Sequence, residues 1–313
     1  MHHPLLASRI SHPLRGLALV LYLFLGTMAF AQRPTLVFMT DFGLGDGAVA
    51  AMKGVAHGVS SEIAMFDLTH EISPFDIWQG AFRLQQTASY WPEGTVFVTV
   101  VDPGVGTERN SVVVRTETGH FFVTPDNGTL TLVMETMGLD EARLIDEETN
   151  RLEGSEDSHT FFGRDVFAYT AARLAGGEIT FEEVGPVLEG ELVALPYQRA
   201  EVDVAAGVAR GSVPILDSQY GNVWSNIDQA LFEELGVALG EEVLVVIRGG
   251  DEEVFRGTMP YVHTFGDVAE GDELLYLNSL LQLSVAINFG NFAETHGVTA
   301  GQDWSMEVHR LED

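Results

Sequence analysis

The sequence has no cysteine, and its 313 residues include a single lysine, Lys53. Without cysteine, disulfides, thiolate nucleophiles and thiolate metal ligands are all excluded. The 16 basic residues stand against 46 acidic ones, giving a formal net charge of −30. Nucleic-acid binding is not expected, because affinity for phosphates requires a basic surface. This charge is typical of a solvated acidic surface suited to high salt, and a site for a cationic ligand is the alternative.

Long apolar runs are absent except near the N-terminus, where Arg9 and Arg15 precede a run that ends in Ala29-Phe30-Ala31. A short apolar run with a small-x-small ending is typical of a secretory signal peptide. We therefore expect residues 1–31 to be a signal peptide cleaved after Ala31. The mature protein is expected to be exported, periplasmic or extracellular, and free of the membrane. An uncleaved anchor is the alternative, but the run is short for a spanning helix.

Apolar, β-rich runs alternate with helical patterns in the first part of the mature chain. The predicted strands are 35–39, 63–68 and 95–101, and the predicted helices between and after them are 47–59 and 77–90. This order predicts an α/β domain with a mainly parallel sheet over residues 32–195. From about residue 200 to 313, short β-rich runs separated by Gly and Asp turns predict a C-terminal β-barrel domain.

Polar clusters follow three of the predicted strands, at residues 41–46, 67–70 and 102–109. In parallel α/β sheets, ligands bind beyond the carboxyl ends of the strands, so these clusters indicate a site. In the third cluster Arg109 can fold back on Asp102 across a Gly-rich loop, although a surface ion pair in a β-turn is the alternative. The acids of the first cluster suit ribose hydroxyls or a cation better than phosphate.

Two later stretches are also rich in chemically useful side chains. Residues 158–165 contain His159, which could accept a proton because histidine titrates near neutral pH. A loop histidine bonded to backbone is the alternative. Residues 217–226 combine aromatic rings and amides, which fit the faces and edge of a flat base. A barrel strand with a polar turn is the alternative there.

From about residue 35 to 310 the chain resembles the S-adenosylmethionine hydroxide adenosyltransferase family, whose relatives include fluorinases and chlorinases. The motifs that carry the resemblance occur in family order and are TDFGLGDGAVAAMKG, DLTHEISPFDIWQGA, VVDPGVGTERNSVVV, VTPDNGTLT, TFFGRDVFA, YGNVWSNI and YLNS. The resemblance implies an N-terminal α/β domain followed by a C-terminal β-barrel. It also implies a homotrimer with sites between the N-terminal domain of one subunit and the C-terminal domain of the next.

The activity that the resemblance implies is hydrolysis of S-adenosyl-L-methionine to adenosine and L-methionine. S-adenosyl-L-methionine is then the substrate, and neither a metal nor a cofactor is expected, because the sulfonium leaves as a neutral thioether. By the same resemblance Asp41 binds the ribose hydroxyls, and Asp46 and Asp217 lie near the methionine end. Phe75 packs by the ribose and sulfonium, and the adenine is held by Tyr220, Asn222 and Phe265. The water-handling group is Asp102, Arg109 and a histidine.

The chain departs from the family pattern at that histidine, because hydrolases of the family read TFHGRD and this chain has Phe162. His159 is the nearest substitute and is the predicted third member. Two alternatives stay open. A chlorinase is compatible with the small Gly163, but the carboxylate of Asp102 would repel a halide. A non-catalytic protein that binds adenosine or S-adenosylmethionine is consistent with the missing histidine.

Overall fold

The computed structural model describes residue 1 and residues 33–311. The predicted signal peptide and its cleavage site therefore lie outside the described residues, Met1 apart. Pro34–Asp313 forms one compact unit. Within residues 33–311, no helix combines the length and the apolar character needed to cross a membrane.

The first part of this unit is an α/β fold, as predicted. Its strands are β1 (Thr35–Thr40), β2 (Ala64–Thr69), β3 (Val96–Val100), β4 (Ser111–Arg115), β5 (Phe121–Pro125) and β6 (Glu141–Leu144). They form one sheet in the order β2-β1-β3-β5-β4-β6. The pairs β2–β1, β1–β3 and β3–β5 are parallel, and β4 pairs antiparallel with β5 and β6.

Helices cover both faces of this sheet. They are α1 (Ala48–Val59), α2 (Ile77–Ala88), α3 (Thr131–Met137) and α4 (Tyr169–Ala175), the last continuing a π-helical turn at Gly163–Ala168. Strand β1 is buried on both faces, because Leu36 and Phe38 pack into one core and Val37 and Met39 into the other. A strand buried on both faces reads as a continuous apolar run, which is why the pattern of β1 is visible in the sequence.

The second part of the unit consists of antiparallel sheets. Its strands are β7 (Glu201–Asp203), β8 (Val208–Ser212), β9 (Ile215–Leu216), β10 (Val223–Asp228), β11 (Glu242–Gly249), β12 (Glu252–Pro260), β13 (Glu273–Leu277), β14 (Gln282–Ile287) and β15 (Trp304–Arg310). Two short helices, α5 (Gln229–Glu233) and α6 (Phe292–His296), lie between them. One core, which includes Val245, Phe292 and Met306, is buried among these strands and helices.

The predicted class, α/β followed by an all-β region, is confirmed, but no closed barrel forms among the described residues. The strands divide into sheets ordered β13-β14-β10-β9 and β12-β11-β15-β8-β7. The hydrophobic cores change over between Val184 and Ala209, close to the expected boundary at 195–200. That boundary stays a prediction, since contacts join residues 34–313 into one unit.

Candidate active site

The carboxyl ends of three neighbouring parallel strands carry the first set of predicted site residues. Strand β1 lies between β2 and β3 in the sheet. Asp41 follows β1 directly, and Asp102 comes two residues after the end of β3. The polar clusters recognised in the sequence thus share one edge of the sheet, which is where α/β folds bind ligands.

Asp102 and Arg109 form an ion pair with two-point contact. The Nε of Arg109 donates to both carboxylate oxygens of Asp102, at 3.0 and 3.1 Å, and Nη2 donates to Oδ2 at 2.5 Å. The side chains of Arg109 and Asp102 are only 10% and 4% exposed. Charge-assisted, bidentate contacts of this kind fix geometry as well as energy. The carboxylate is therefore held in one orientation and kept away from bulk water.

Phe162 packs against this pair and against a second arginine. Its ring centroid lies 5.1 Å from the guanidinium of Arg109 and 4.7 Å from that of Arg151. Hydrogen bonds join the two arginines: Arg109 donates to Ser111 (2.8 Å), and Glu147 accepts from both Ser111 (3.0 Å) and Arg151 (2.7 Å). The family's histidine position thus holds a ring between two cations, which cation–π attraction stabilises.

His159, the predicted third member of the water-handling group, is exposed. Its backbone lies against the loop of the pair, because a Cβ added at Gly106 would fall 2.7 Å from the His159 carbonyl oxygen. Gly106 also has φ +74, a conformation that favours glycine. The structure therefore brings the two loops together, while the imidazole itself has no hydrogen bond to any residue in 33–311.

Gly163 begins the π-helical turn directly after Phe162. π-Helical turns are rare and occur frequently at functional sites. A Cβ added at Gly163 would lie 3.2 Å from the ring of Phe42 and 3.5 Å from the sulfur of Met52. A side chain at this position would therefore be in tight contact with Phe42 and Met52.

Asp41 and Phe75 are joined by a hydrogen bond. The backbone N–H of Phe75 donates to Asp41 Oδ2 at 2.9 Å. Phe75 has φ +70 and is 69% exposed. A bulky residue in this conformation costs about 1–3 kcal/mol, which the surrounding structure must offset. Strain and exposure together at one residue are typical of a functional surface. Asp46 is exposed nearby, where its carboxylate accepts the Ala48 N–H at the start of α1.

The remaining predicted residues line one cavity of 880 Å³ in the second part of the chain. They are Asp217, Tyr220, Asn222 and Phe265. A tight turn positions the first three: Asp217 Oδ2 accepts from Asn222 Nδ2 (3.3 Å), and its carbonyl accepts the N–H of Gly221 (2.7 Å). Aromatic rings and amides around a volume of this size suit a nucleoside.

The sequence reasoning missed two aromatic residues of this cavity. Tyr276 lies 5.0 Å from Phe265, centroid to centroid. Burial and the negative charge of Asp217 raise the pKa of Tyr276 to about 12, so its phenol stays neutral at neutral pH. Phe289 is 89% exposed at φ +58. The signal for Phe289 was its place in an Asn-Phe-Gly-Asn sequence, a turn composition that places an aromatic ring at its tip.

The structure brings the predicted residues together in two sets and does not join the sets. None of Asp41, Asp46, Phe75 and Asp102 lines the 880 Å³ cavity. No group of three or more His, Asp or Glu side chains within residues 33–311 is arranged to hold a metal ion.

These features define a class of protein: an α/β domain with a carboxylate–guanidinium pair at the sheet edge, followed by antiparallel sheets that carry a nucleoside-sized cavity. The model of the S-adenosylmethionine hydroxide adenosyltransferase N-terminal domain matches residues 36–185, and that of the C-terminal domain matches residues 211–305. The chain belongs to the S-adenosylmethionine hydroxide adenosyltransferase family.

Relatives with known names span nearly the whole chain. It is 38% identical to the (R)-S-adenosyl-L-methionine hydrolase of Salinispora tropica, over 87% of this chain and 97% of that protein. It is 30% identical to a fluorinase of Actinopolyspora mzabensis, over 89% and 98% respectively. A crystal structure of a conserved protein from Thermotoga maritima superposes with a TM-score of 0.79 at 34% identity, covering 88% of this chain and all of that one.

Proposed function

We propose that this protein hydrolyses S-adenosyl-L-methionine to adenosine and L-methionine, with water as the nucleophile. Family membership and the names of the hydrolase relatives support the substrate and the reaction. The observation that carries the choice of water is the buried Asp102–Arg109 pair. A carboxylate can accept the proton of a water molecule, whereas it would repel a halide ion.

In the proposed reaction, water attacks the ribose C5′ in line with the C5′–S bond. The new C5′–O bond forms as the C5′–S bond breaks. The electron pair of the C5′–S bond stays on sulfur, which leaves as the neutral thioether of methionine. The proton of the water passes to Asp102, directly or through His159. Arg109 stabilises the negative charge that develops on the attacking oxygen. Phe162 keeps Arg109 in place but cannot take a proton.

The proposed substrate contacts follow the two sets of residues. Asp41 accepts the ribose hydroxyls, since Phe75 occupies one of its oxygens and no donor within residues 33–311 contacts the other. Phe75 packs beside the ribose and the sulfonium. In the cavity, Tyr220, Asn222 and Phe265 hold the adenine. Asp46 and Asp217 lie toward the methionine end, where their charge favours the cationic substrate.

We further propose a homotrimer in which these two sets meet across subunit boundaries. Each set opens to solvent with bulky apolar side chains, Leu44 (67% exposed) and Phe75 on one and Tyr220 (64%) and Phe289 on the other. Exposed apolar surface of this kind is typical of interfaces between proteins. A site divided between neighbouring copies explains why the residues at the sheet edge do not line the cavity that holds the other set.

Export of the protein is also a proposal. It rests on the signal-peptide pattern that ends at Ala31 and on nothing in residues 33–311. N-terminal sequencing of protein recovered outside the cytoplasm would test it, with Gln32 expected as the first residue.

A product assay tests the proposed function. Protein beginning at Gln32 is incubated with S-adenosyl-L-methionine, as separated sulfonium epimers, with and without high chloride, and the products are identified by mass. Adenosine plus methionine under both conditions is the expected result. A chlorinated deoxyadenosine would show a chlorinase. Binding of adenosine without turnover would show a binding protein in which the Phe162 position marks the lost activity.

A further inference from the structure

Four side chains form a continuous chain of hydrogen bonds that ends beside Asp41. Lys53 Nζ donates to Asp67 Oδ2 at 2.6 Å. His70 Nε2 lies 3.0 Å from Asp67 Oδ1, and its Nδ1 lies 2.9 Å from Thr40 Oγ1. We call Lys53, Asp67, His70 and Thr40 the β2 relay, since Asp67 lies in β2 and His70 follows it. The one lysine of the chain is thus placed at its outer end.

The relay runs from solvent into the core. The side chains of Asp67 and Lys53 are 40% and 32% exposed, whereas His70 is 3% exposed and Thr40 is completely buried. A hydroxyl, an imidazole and a carboxylate in series resemble a nucleophilic triad. That role is excluded here, because the Thr40 hydroxyl is inaccessible to any substrate. The hydrogen bonds of the relay therefore stabilise a conformation of the protein and do not act on a substrate.

What the relay holds is the segment that carries Asp41. Thr40 Oγ1 accepts the backbone N–H of Phe42 at 3.2 Å, and the backbone carbonyl of His70 accepts the N–H of Gly43 at 2.7 Å. His70 is thus tied to the residue before Asp41 and, through its carbonyl, to the second residue after it. These contacts hold the backbone on both sides of Asp41, the residue from which the carboxylate extends.

The hydrogen bonds of the relay are all satisfied by one arrangement of protons. An ionised Asp67 can only accept, so the neutral imidazole carries its proton on Nε2 and donates it to Asp67, and Nδ1 accepts the hydroxyl proton of Thr40. Burial by itself raises the pKa of Asp67, but hydrogen bonds from Lys53 and His70 outweigh it and hold the pKa below its usual value. Asp67 therefore stays an ionised acceptor, and Lys53 balances its charge.

We propose that His70 is a positioning residue that holds Asp41 toward the ribose hydroxyls, and that Asp67 and Lys53 fix the imidazole in the required orientation. This inference rests on the proposed function in taking an adenosyl group as the ligand. It extends that function, because His70 touches neither the substrate nor the reacting atoms and acts only through Thr40 and the segment from Thr40 to Gly43.

Two amide substitutions separate the two ends of the imidazole. In His70→Asn the amide lies near the position of Nδ1 and can keep the Thr40 contact, while the Asp67 contact is lost. In His70→Gln the amide reaches the position of Nε2, so the Asp67 contact is kept and the Thr40 contact is lost. The probes are adenosine and 2′,3′-dideoxyadenosine, which lacks the ribose hydroxyls, with dissociation constants measured by calorimetry on the full mature protein.

The wild type should bind adenosine more tightly than the dideoxy nucleoside. We expect His70→Gln to weaken adenosine about tenfold, the loss of about one good hydrogen bond, with little change for the dideoxy nucleoside. His70→Asn keeps the Thr40 contact but loses Asp67 as its anchor, so it should weaken adenosine by only about threefold, less than His70→Gln, and leave the dideoxy nucleoside unchanged. If His70→Gln does not fold, Thr40→Val removes the same contact from its other side, with Thr40→Ser as its control.

Equal losses for both nucleosides would overturn the inference, since a general structural role does not distinguish ribose hydroxyls. Unchanged binding of adenosine by His70→Gln would also overturn it. A wild-type protein that binds neither nucleoside would overturn the proposed substrate and this role of His70 with it. The role of His70 can therefore fail while the proposed function stands, and the two failures give different results.

Discussion

The proposed site residues fall into a closed group and open groups within one chain. The closed group is the Asp102–Arg109 pair with its contacts, and the open groups are the residues proposed to bind the nucleoside at the sheet edge and around the cavity. The Asp102–Arg109 pair is nearly buried, and Ser111 and Phe162 contact its guanidinium as well. The residues proposed to bind the nucleoside are open: Phe75 is 69% exposed and Tyr220 64%. In the proposed homotrimer the closed group is complete within one subunit, and the open groups are covered by a neighbouring copy.

This difference separates chemistry from recognition. A group that handles a proton must be held rigidly and kept dry, because its effect depends on geometry and on low local dielectric. A group that binds a ligand between subunits must stay accessible until assembly and binding cover it. Substitutions in the closed group should therefore affect turnover, and substitutions in the open groups should affect binding and depend on the neighbouring subunit.

The largest effect is expected from Asp102→Asn, which acts on the closed group. The amide cannot accept a proton and leaves the charge of Arg109 unbalanced, so turnover should fall by at least tenfold and toward the ~10²–10⁴ typical of a general base. The dissociation constant of adenosine should hardly change. Steady-state kinetics and calorimetry on the same preparations measure both.

Asp140→Asn is the matched control for this change, since Asp140 pairs with Arg115 at the exposed edge of the sheet. It also removes a carboxylate from an arginine, but far from the proposed chemistry, so both turnover and binding should match the wild type. Normal turnover in Asp102→Asn would show that Asp102 takes no part in the reaction and that the closed group has only a structural role.

The second prediction tests whether the open groups meet across subunits. Asp41→Ala damages the set of residues at the sheet edge, and Asn222→Ala damages the set around the cavity. Each variant alone should be nearly inactive. When the two variants are co-expressed, sites between subunits are assembled at random, and about a quarter combine two intact halves. The mixture should therefore recover about a quarter of the wild-type turnover.

Co-expression of Asp41→Ala with Asp102→Asn is the control, because both defects lie in the same half and every site inherits one of them. That mixture should recover nothing. If the mixture of Asp41→Ala and Asn222→Ala also stays inactive while purification through a different affinity tag on each variant recovers both in one oligomer, each site belongs to a single chain and the divided site is refuted.

The sequence reveals the α/β part of the fold well. Strands β1 and β3 are buried along most of their length and read as unbroken apolar runs, and the acids after them mark the sheet edge. The antiparallel part is harder to predict. In β15 only Met306 and Val308 are buried, and Glu307 separates them, although β15 lies inside its sheet between β11 and β8. Whether such strands close into a barrel depends on long-range pairing that local patterns do not contain.

The site shows the same limit. The sequence indicates the Asp102–Arg109 pair from its loop and a base-binding cavity from its aromatics and amides. It does not indicate that Phe162 lies beside Arg109 and Arg151, because Arg151 and Glu147 are distant in the chain and carry no recognisable motif. The β2 relay is equally hidden, since its members contribute one side chain each from four elements or loops.

The smallest effect on turnover is expected from His159→Ala, which tests whether the closed group extends to an exposed residue. The loop of His159 touches Gly106, but its imidazole is exposed and has no hydrogen-bond partner within residues 33–311, so nothing in one chain holds it toward Asp102. Turnover should fall about tenfold, less than the ~10²–10⁴ typical of a general base, with adenosine binding unchanged. His57→Ala, another exposed histidine at the end of α1, should behave as wild type. A fully active His159→Ala would show that Asp102 and Arg109 handle the water alone, and that the closed group ends at Phe162.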